Sequence, residues 1–146
     1  MKKAIFCSVF ILLSFAMNAQ VEKMLGKWNT IDDRTGGPKA IVNIQKSSDG
    51  YYYGSIEGLY EKNDRNEFRL SKTIPKEYQK IIGMQVLKKL ELKGNDLKGI
   101  AYDPETDETY HGKITYDASR DVIILRGSID RWGVIGRSQT WVRCKN

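Results

Sequence analysis

The sequence predicts an all-β protein, a single antiparallel up-and-down barrel of about eight strands. Two observations carry that expectation. Apolar and polar residues alternate in short runs, and turn-forming residues interrupt those runs roughly every eight to twelve positions. In addition, no apolar stripe of helical period separates the runs, so a parallel sheet with crossover helices is not expected. The first strand is LGKWNTID (25–32), broken by DRTGGPK. AIVNIQK (40–46) follows and turns at SSDG into YYYGSIEGLY (51–60), which is aromatic and β-prone. IIGMQVLKKLELK (81–93) places Ile82, Met84, Val86, Leu90 and Leu92 at every second position, interrupted by Lys88. GND turns the chain into LKGIAYD (97–103), and the acidic PETDE leads to TYHGKITYD (109–117). ASR precedes DVIILRGSI (121–129), an almost continuous apolar run. DRWGVIG (130–136) is a looser connection, and RSQTWVRC (137–144) is the last strand.

The segment 61–80, EKNDRNEFRLSKTIPKEYQK, breaks this rhythm. It is polar, charged and carries Pro75. It is expected to be one long loop with a short helix at PKEYQKI, because proline suits the first helical position. Long loops in compact domains often serve as lids, and a lid over the barrel is the expected role. An open meander leaves two exposed edges, which closure into a barrel removes. The first and last strands are then neighbours, so Trp28 should meet GRSQTWVR (136–143). Arg137 or Arg143 is expected to lay its guanidinium over the indole, with Gly26 allowing close approach of the chain. Trp28 thus reads as a plug, with Gly26, Arg137 and Trp141 as closure residues. The inward face of the last strand stays open between Trp141 and Val142.

MKKAIFCSVFILLSFAMNAQ opens the chain. Lys2 and Lys3, the mostly apolar stretch from Ala4 to Ala16, and the small Ala19 follow the pattern of a secretory signal peptide over 1–19. The stretch is too short for a stable membrane span, and Cys7 lies within it, which argues against lipid attachment. The expectation is an exported protein, periplasmic or extracellular, whose single domain spans 20–146. Losing Lys2 and Lys3 takes the formal charge from +6 to +4. Lysines and arginines are interspersed with acids, as in LKKLELKGNDLKG, and form no basic stripe, so nucleic acid is not an expected partner. Cys144 is the one cysteine left after cleavage, which rules out an internal disulfide or a CxxC redox pair. It reads as a small inert residue of the last strand, with an intermolecular bond as the alternative.

His111 is the single histidine. It shares parity with Thr109, Lys113 and Thr115, which points it to solvent and away from general-base chemistry. One histidine cannot assemble the usual histidine zinc sets. DPETDE (103–108) gathers Asp103, Glu105, Asp107 and Glu108 but lacks the wrapping glycine of a calcium loop, so it reads as a solvated turn. Tyr51, Tyr52 and Tyr53 alternate faces and form no common platform. Arg126 shares parity with Val122 and Ile124. If those face the interior, Arg126 does too, and a buried cation needs a partner. That partner is either a carboxylate such as Asp32 or Asp103, or the head group of a bound acid.

GKW at the head of the first strand, with an arginine on the closing strand, resembles the Gly-x-Trp signature of lipocalins. A wider set, GKWNTIDDRTGGPKAIVNI, YYYGSI, IIGMQVL, AYDPETDETYHGKI and ILRGSIDRWGVIGRSQTWVR, resembles the domain-of-unknown-function 2147 family of exported bacterial proteins. Its motif positions fall here on Gly26, Trp28, Asp32, Gly54, Gly83, Tyr102, Asp103, Pro104, Tyr110, Arg126, Gly127, Gly136, Arg137, Thr140 and Trp141. The resemblance implies a small lipocalin- or calycin-like barrel without an assigned biochemical function. Many members carry a cysteine pair in the long middle loop, and 61–80 has none, so a function tied to that pair is not expected here.

An eight-stranded barrel either fills its interior or holds one small ligand. The expectation is a non-enzymatic barrel holding a small apolar or amphipathic ligand, with Arg126, Tyr53, Tyr102 and Tyr110 supplying polar contacts. The alternative is an envelope structural or protein-interaction module with a packed interior and a partner the sequence does not name. No nucleophile–base pair, metal set or phosphate loop points to an enzyme, and no cofactor or metal is expected.

Overall fold

The structure, a computed structural model, describes residues 19–60, 68–70 and 78–145, with backbone alone for 68–70 and 78–80. Among the described residues there are ten strands: β1 (Gly26–Ile31), β2 (Pro38–Lys46), β3 (Tyr52–Leu59), β4 (Phe68–Leu70), β5 (Tyr78–Lys80), β6 (Gln85–Lys93), β7 (Asp96–Asp103), β8 (Glu108–Asp117), β9 (Val122–Ser128) and β10 (Gly136–Arg143). Eight of them close an antiparallel barrel in the order β1-β10-β9-β8-β7-β6-β3-β2, with β2 returning onto β1. This is the up-and-down barrel that the alternation predicts. β4 and β5 pair only with each other. Tyr78–Lys80, expected within a short helix, is therefore strand. The rest of the expected loop, 61–67 and 71–77, lies outside the described residues, and so does the lid role placed on it.

The meander puts its connections at two ends. The bottom carries the start of β1 and the turns before β3, β7 and β9. The top carries the β1–β2 loop, the β7–β8 turn and the β9–β10 loop. A helical stretch over 19–24 enters at the bottom, burying Val21 and Met24 among the core side chains. The lower interior is filled by Trp28, Ile44, Leu90, Leu97, Ile114 and Ile123, none with measurable exposure.

Trp28 sits in the middle of this end. Its Nε1–H donates to the Met24 carbonyl at 2.9 Å. Arg143 stacks on the indole, with Cζ 4.2 Å from the ring centroid. The same guanidinium donates to the Lys23 carbonyl at 2.7 Å and pairs with Asp121 at 3.0 Å. Of the two candidate arginines, Arg143 makes this contact. Arg137 is the second residue of the last strand, at the opposite end, so its expected place at the plug is corrected. Gly26 also acts differently from expectation. A Cβ there would meet nothing within 4 Å, but its φ of +97° turns the chain from the helix into β1. Conformation, not close approach, requires the glycine.

β6 departs from strict alternation. Its register with β7 shifts between Lys88 and Glu91, and Lys89 has a φ of 47°. This bulge brings Leu87 and Leu90, three positions apart, onto the inner face, both fully buried. It explains why Lys88 interrupts the apolar series. Gly99 on β7 faces the bulge, where only a hydrogen fits.

The β8–β9 turn at the bottom is held by Asp117. Its carboxylate accepts from the Ser119 hydroxyl at 2.6 Å and from Arg120 Nε at 2.7 Å. The Ser119 hydroxyl first, and then Arg120, lower its carboxyl pKa to about 2. A carboxyl whose folded pKa lies below its unfolded value of about 3.9 stabilises the fold above that value. The contribution is lost as pH falls from roughly 4 to about 2. Asp117→Asn is expected to flatten the acid limb of melting temperature against pH in that window.

Candidate functional site

Among the described residues, none fills the upper interior. A cavity of about 870 Å³ lies above the packed floor and reaches the top rim. Its origin is a gradient in side-chain size along the inward faces. Near the bottom these positions hold Trp28, Ile44, Leu97 and Ile114. Toward the top they hold Thr30, Ala40, Ala101 and Gly127. Val42, Ile56, Leu87, Leu125 and Trp141 complete an apolar lining.

The rim is charged, and three of its carboxylates are paired with cations. Arg137 pairs with Asp33 at 3.0 Å, and the Gln139 amide donates to the same carboxylate at 3.3 Å. Lys39 pairs with Glu105 across the mouth. Arg34 pairs with Asp32 at 3.3 Å and, with its backbone N–H, holds the Asp32 carboxyl below the usual carboxylate range. Such exposed pairs contribute little stability and are readily exchanged for other partners. The rim can therefore meet either sign of ligand head group by releasing one partner.

Of the four residues expected to contact a ligand, Tyr110 and Tyr102 line the cavity, Tyr110 from its wall and Tyr102 at its rim. Tyr110 faces inward opposite Ala101, and its hydroxyl donates to Glu108 at 2.6 Å. Glu108 pushes the phenol pKa upward. Tyr53 lies on the outer surface, donating to Asp49 at 2.6 Å in a polar groove, and Tyr52 is the inward residue of the triplet. Tyr102 borders the rim from the outer face, with its hydroxyl 2.7 Å from Asp107 and Lys88 over its ring.

Arg126 is the main correction. It lies outside the barrel wall, where Nε donates to the Gly133 carbonyl at 2.6 Å, Nη2 to the Val134 carbonyl at 3.1 Å and Nη1 to Ser138 Oγ at 3.2 Å. Neither Asp32, Asp103 nor a ligand head group inside the barrel is its partner. The inward parity of β9 belongs to Ile123, Leu125 and Gly127. VIIL is apolar on both parities, so alternation alone could not choose between them. The signal that could have chosen is glycine, since Gly127 marks the face that must leave room.

On β10, Trp141 faces inward at 4% exposure and Val142 outward at 38%. Arg137, expected at the plug, stands at the mouth instead. His111 is exposed on the outer face. The acidic turn is hydrogen-bonded within itself and to Lys39. Among the described residues, no group of three or more His, Cys, Asp or Glu is placed to hold a metal ion, and no helix is long and apolar enough to cross a membrane. Cys144 is half-buried with Sγ 3.2 Å from Asn29 Oδ1, and burial pushes its thiol pKa upward, away from the reactive thiolate.

The model of a family described as an uncharacterized protein conserved in bacteria (DUF2147) matches residues 26–143. Among solved structures, protein HP1028 from Helicobacter pylori, reported to belong to the lipocalin family, matches with a TM-score of 0.66. The two are 19% identical over 84% of this chain and 83% of that one. At that identity the likeness establishes a lipocalin-like fold and no activity. No curated protein matches the sequence.

Proposed function

The chain belongs to the DUF2147 family, and from the geometry of its interior we propose that this member is an exported, non-enzymatic carrier of one small amphipathic ligand. The cavity carries this reading: about 870 Å³ of apolar-lined space, open at a polar rim, within the size range of small-molecule sites. The tail would lie against Leu125, Leu87 and Trp141. The head would lie at the rim among Arg137, Lys39 and Tyr110. Export is supported by the leader-like pattern of residues 1–19, and an amino terminus at Gln20 in protein recovered outside the cytoplasm tests it. The unfilled upper interior favours a carrier over a packed envelope module.

Gly127 offers a direct test. A Cβ there would meet Tyr110 atoms at 3.6 and 3.7 Å, ordinary contact distances, so a larger side chain can enter the cavity without moving backbone. Gly127→Leu is expected to keep the melting temperature and to weaken binding of a fluorescent long-chain fatty acid by about tenfold or more. Native mass spectrometry of the wild type, with extraction and identification of any adduct, names the cargo. Equal fatty-acid binding by wild type and variant, with no adduct on either, would refute the carrier reading.

A further inference from the structure

The β9–β10 loop displays apolar side chains at the cavity mouth. Ile129, Trp132, Val134 and Ile135 are 73%, 82%, 76% and 63% exposed. Soluble proteins seldom expose such a contiguous cluster unless it meets a protein or a membrane. The loop is firmly built. Asp130 accepts backbone N–H groups of Trp132 at 3.1 Å, Val134 at 2.9 Å and Ile135 at 2.6 Å. Ile129 N–H donates to the Ile135 carbonyl at 2.9 Å, and Arg126 holds the carbonyls of Gly133 and Val134 from below. The polar groups of the loop are thus turned onto its own backbone, and its apolar side chains are turned out.

We infer that this loop docks the barrel, mouth first, onto an anionic phospholipid surface. Two features select lipid as the occupant. The first is charge: Arg126 and the exposed Arg131 accompany a single carboxylate, Asp130, which the backbone of the loop already occupies. Of the acids at the nearby rim, Asp32, Asp33 and Glu105 are held in pairs with Arg34, Arg137 and Lys39, while Asp103, Asp107 and Glu108 accept the Glu105 N–H and the Tyr102 and Tyr110 hydroxyls. A tryptophan beside an arginine suits the headgroup level, where the indole lies among acyl carbonyls and the cation meets phosphate. The second is continuity. Ile129 and Ile135 belong both to the exposed cluster and to the cavity lining, so the apolar path from surface to interior is unbroken. Docking does not depend on what the cavity carries.

Trp132 makes the test specific. It is the exposed member of the three tryptophans, since Trp28 and Trp141 are buried. The chain from Gln20 onward, which holds every barrel contact described above, is mixed with vesicles of phosphatidylethanolamine and phosphatidylglycerol. Co-flotation, a blue shift of tryptophan emission and quenching by bromine-labelled acyl chains are expected. Trp132→Ser should abolish the quenching and weaken flotation by about tenfold or more without changing the melting temperature. Arg131→Gln should weaken it severalfold on these vesicles and little on neutral ones. The proposal is overturned if the protein does not float, or if Trp132 stays open to aqueous acrylamide when it does. It is also overturned if Trp132 becomes shielded by self-association in lipid-free buffer. A Gly127→Leu protein that floats but binds no fatty acid would separate docking from carriage.

Discussion

Trp28→Ala is expected to cost the barrel about 3–5 kcal/mol, the range for truncating a buried aromatic side chain. The side chain has no measurable exposure and fills the centre of the closed end. Three losses combine. The indole volume is vacated in a region where Ile44 and Met24 are themselves fully buried and held by neighbours. The Met24 carbonyl loses its donor, at about 1–3 kcal/mol if it finds no other. The Arg143 stacking contact, about 0.5–2 kcal/mol, goes too. A domain with a total stability of about 5–15 kcal/mol would be left near its unfolding threshold. Trp28→Phe keeps most of the volume but neither the N–H nor the full indole face, so it should fall between. Urea denaturation at constant slope measures both. A Trp28→Ala barrel within about 1 kcal/mol of the parent would show that this end is not what holds it closed.

Gly99→Ala is the second large effect. The added Cβ would lie 2.6 Å from the Lys89 carbonyl oxygen, 2.7 Å from that of Lys88 and 2.9 Å from Leu90 Cα. All three are backbone atoms, so no rotamer change relieves the contact and the β6 bulge itself must open. Overpacking of this kind costs about 1–3 kcal/mol. The upper part of that range is expected, because the bulge is what turns Leu90 inward. Gly127→Ala, where the nearest atoms are at 3.6 Å, is the matched control and should be neutral. Paired denaturation curves decide: equal midpoints for the two variants would show that the bulge yields freely.

The barrel itself was legible because alternation and turn residues are local signals, and closure follows from the cost of open edges. Trp28 was legible as a plug because a large aromatic near the start of a closed meander has few other places to go. The candidate site was much less so. Parity along β9 is ambiguous when four consecutive residues are apolar, and counting Arg126 with Val122 and Ile124 places it in the interior. Tyr53 followed from an equally free choice within a tyrosine triplet. A bulge is invisible to period-two counting, so Leu87 and Leu90 could not be placed on one face. DRWGVIG (130–136) reads as a loose connection because its order comes from one aspartate capping three backbone N–H groups, an arrangement that depends on conformation more than composition.

The size gradient inside the barrel has a consequence for how this chain can change. Large side chains and the helical stopper concentrate cooperative stability at one pole, while the other is built from small residues and exchangeable ion pairs. Exchanging the paired side chains of the open pole therefore costs little folding energy, although Gly136 there has no room for a Cβ, whereas the closed pole is tightly constrained. Grafted or lengthened rim loops should be tolerated as a binding library on a fixed base.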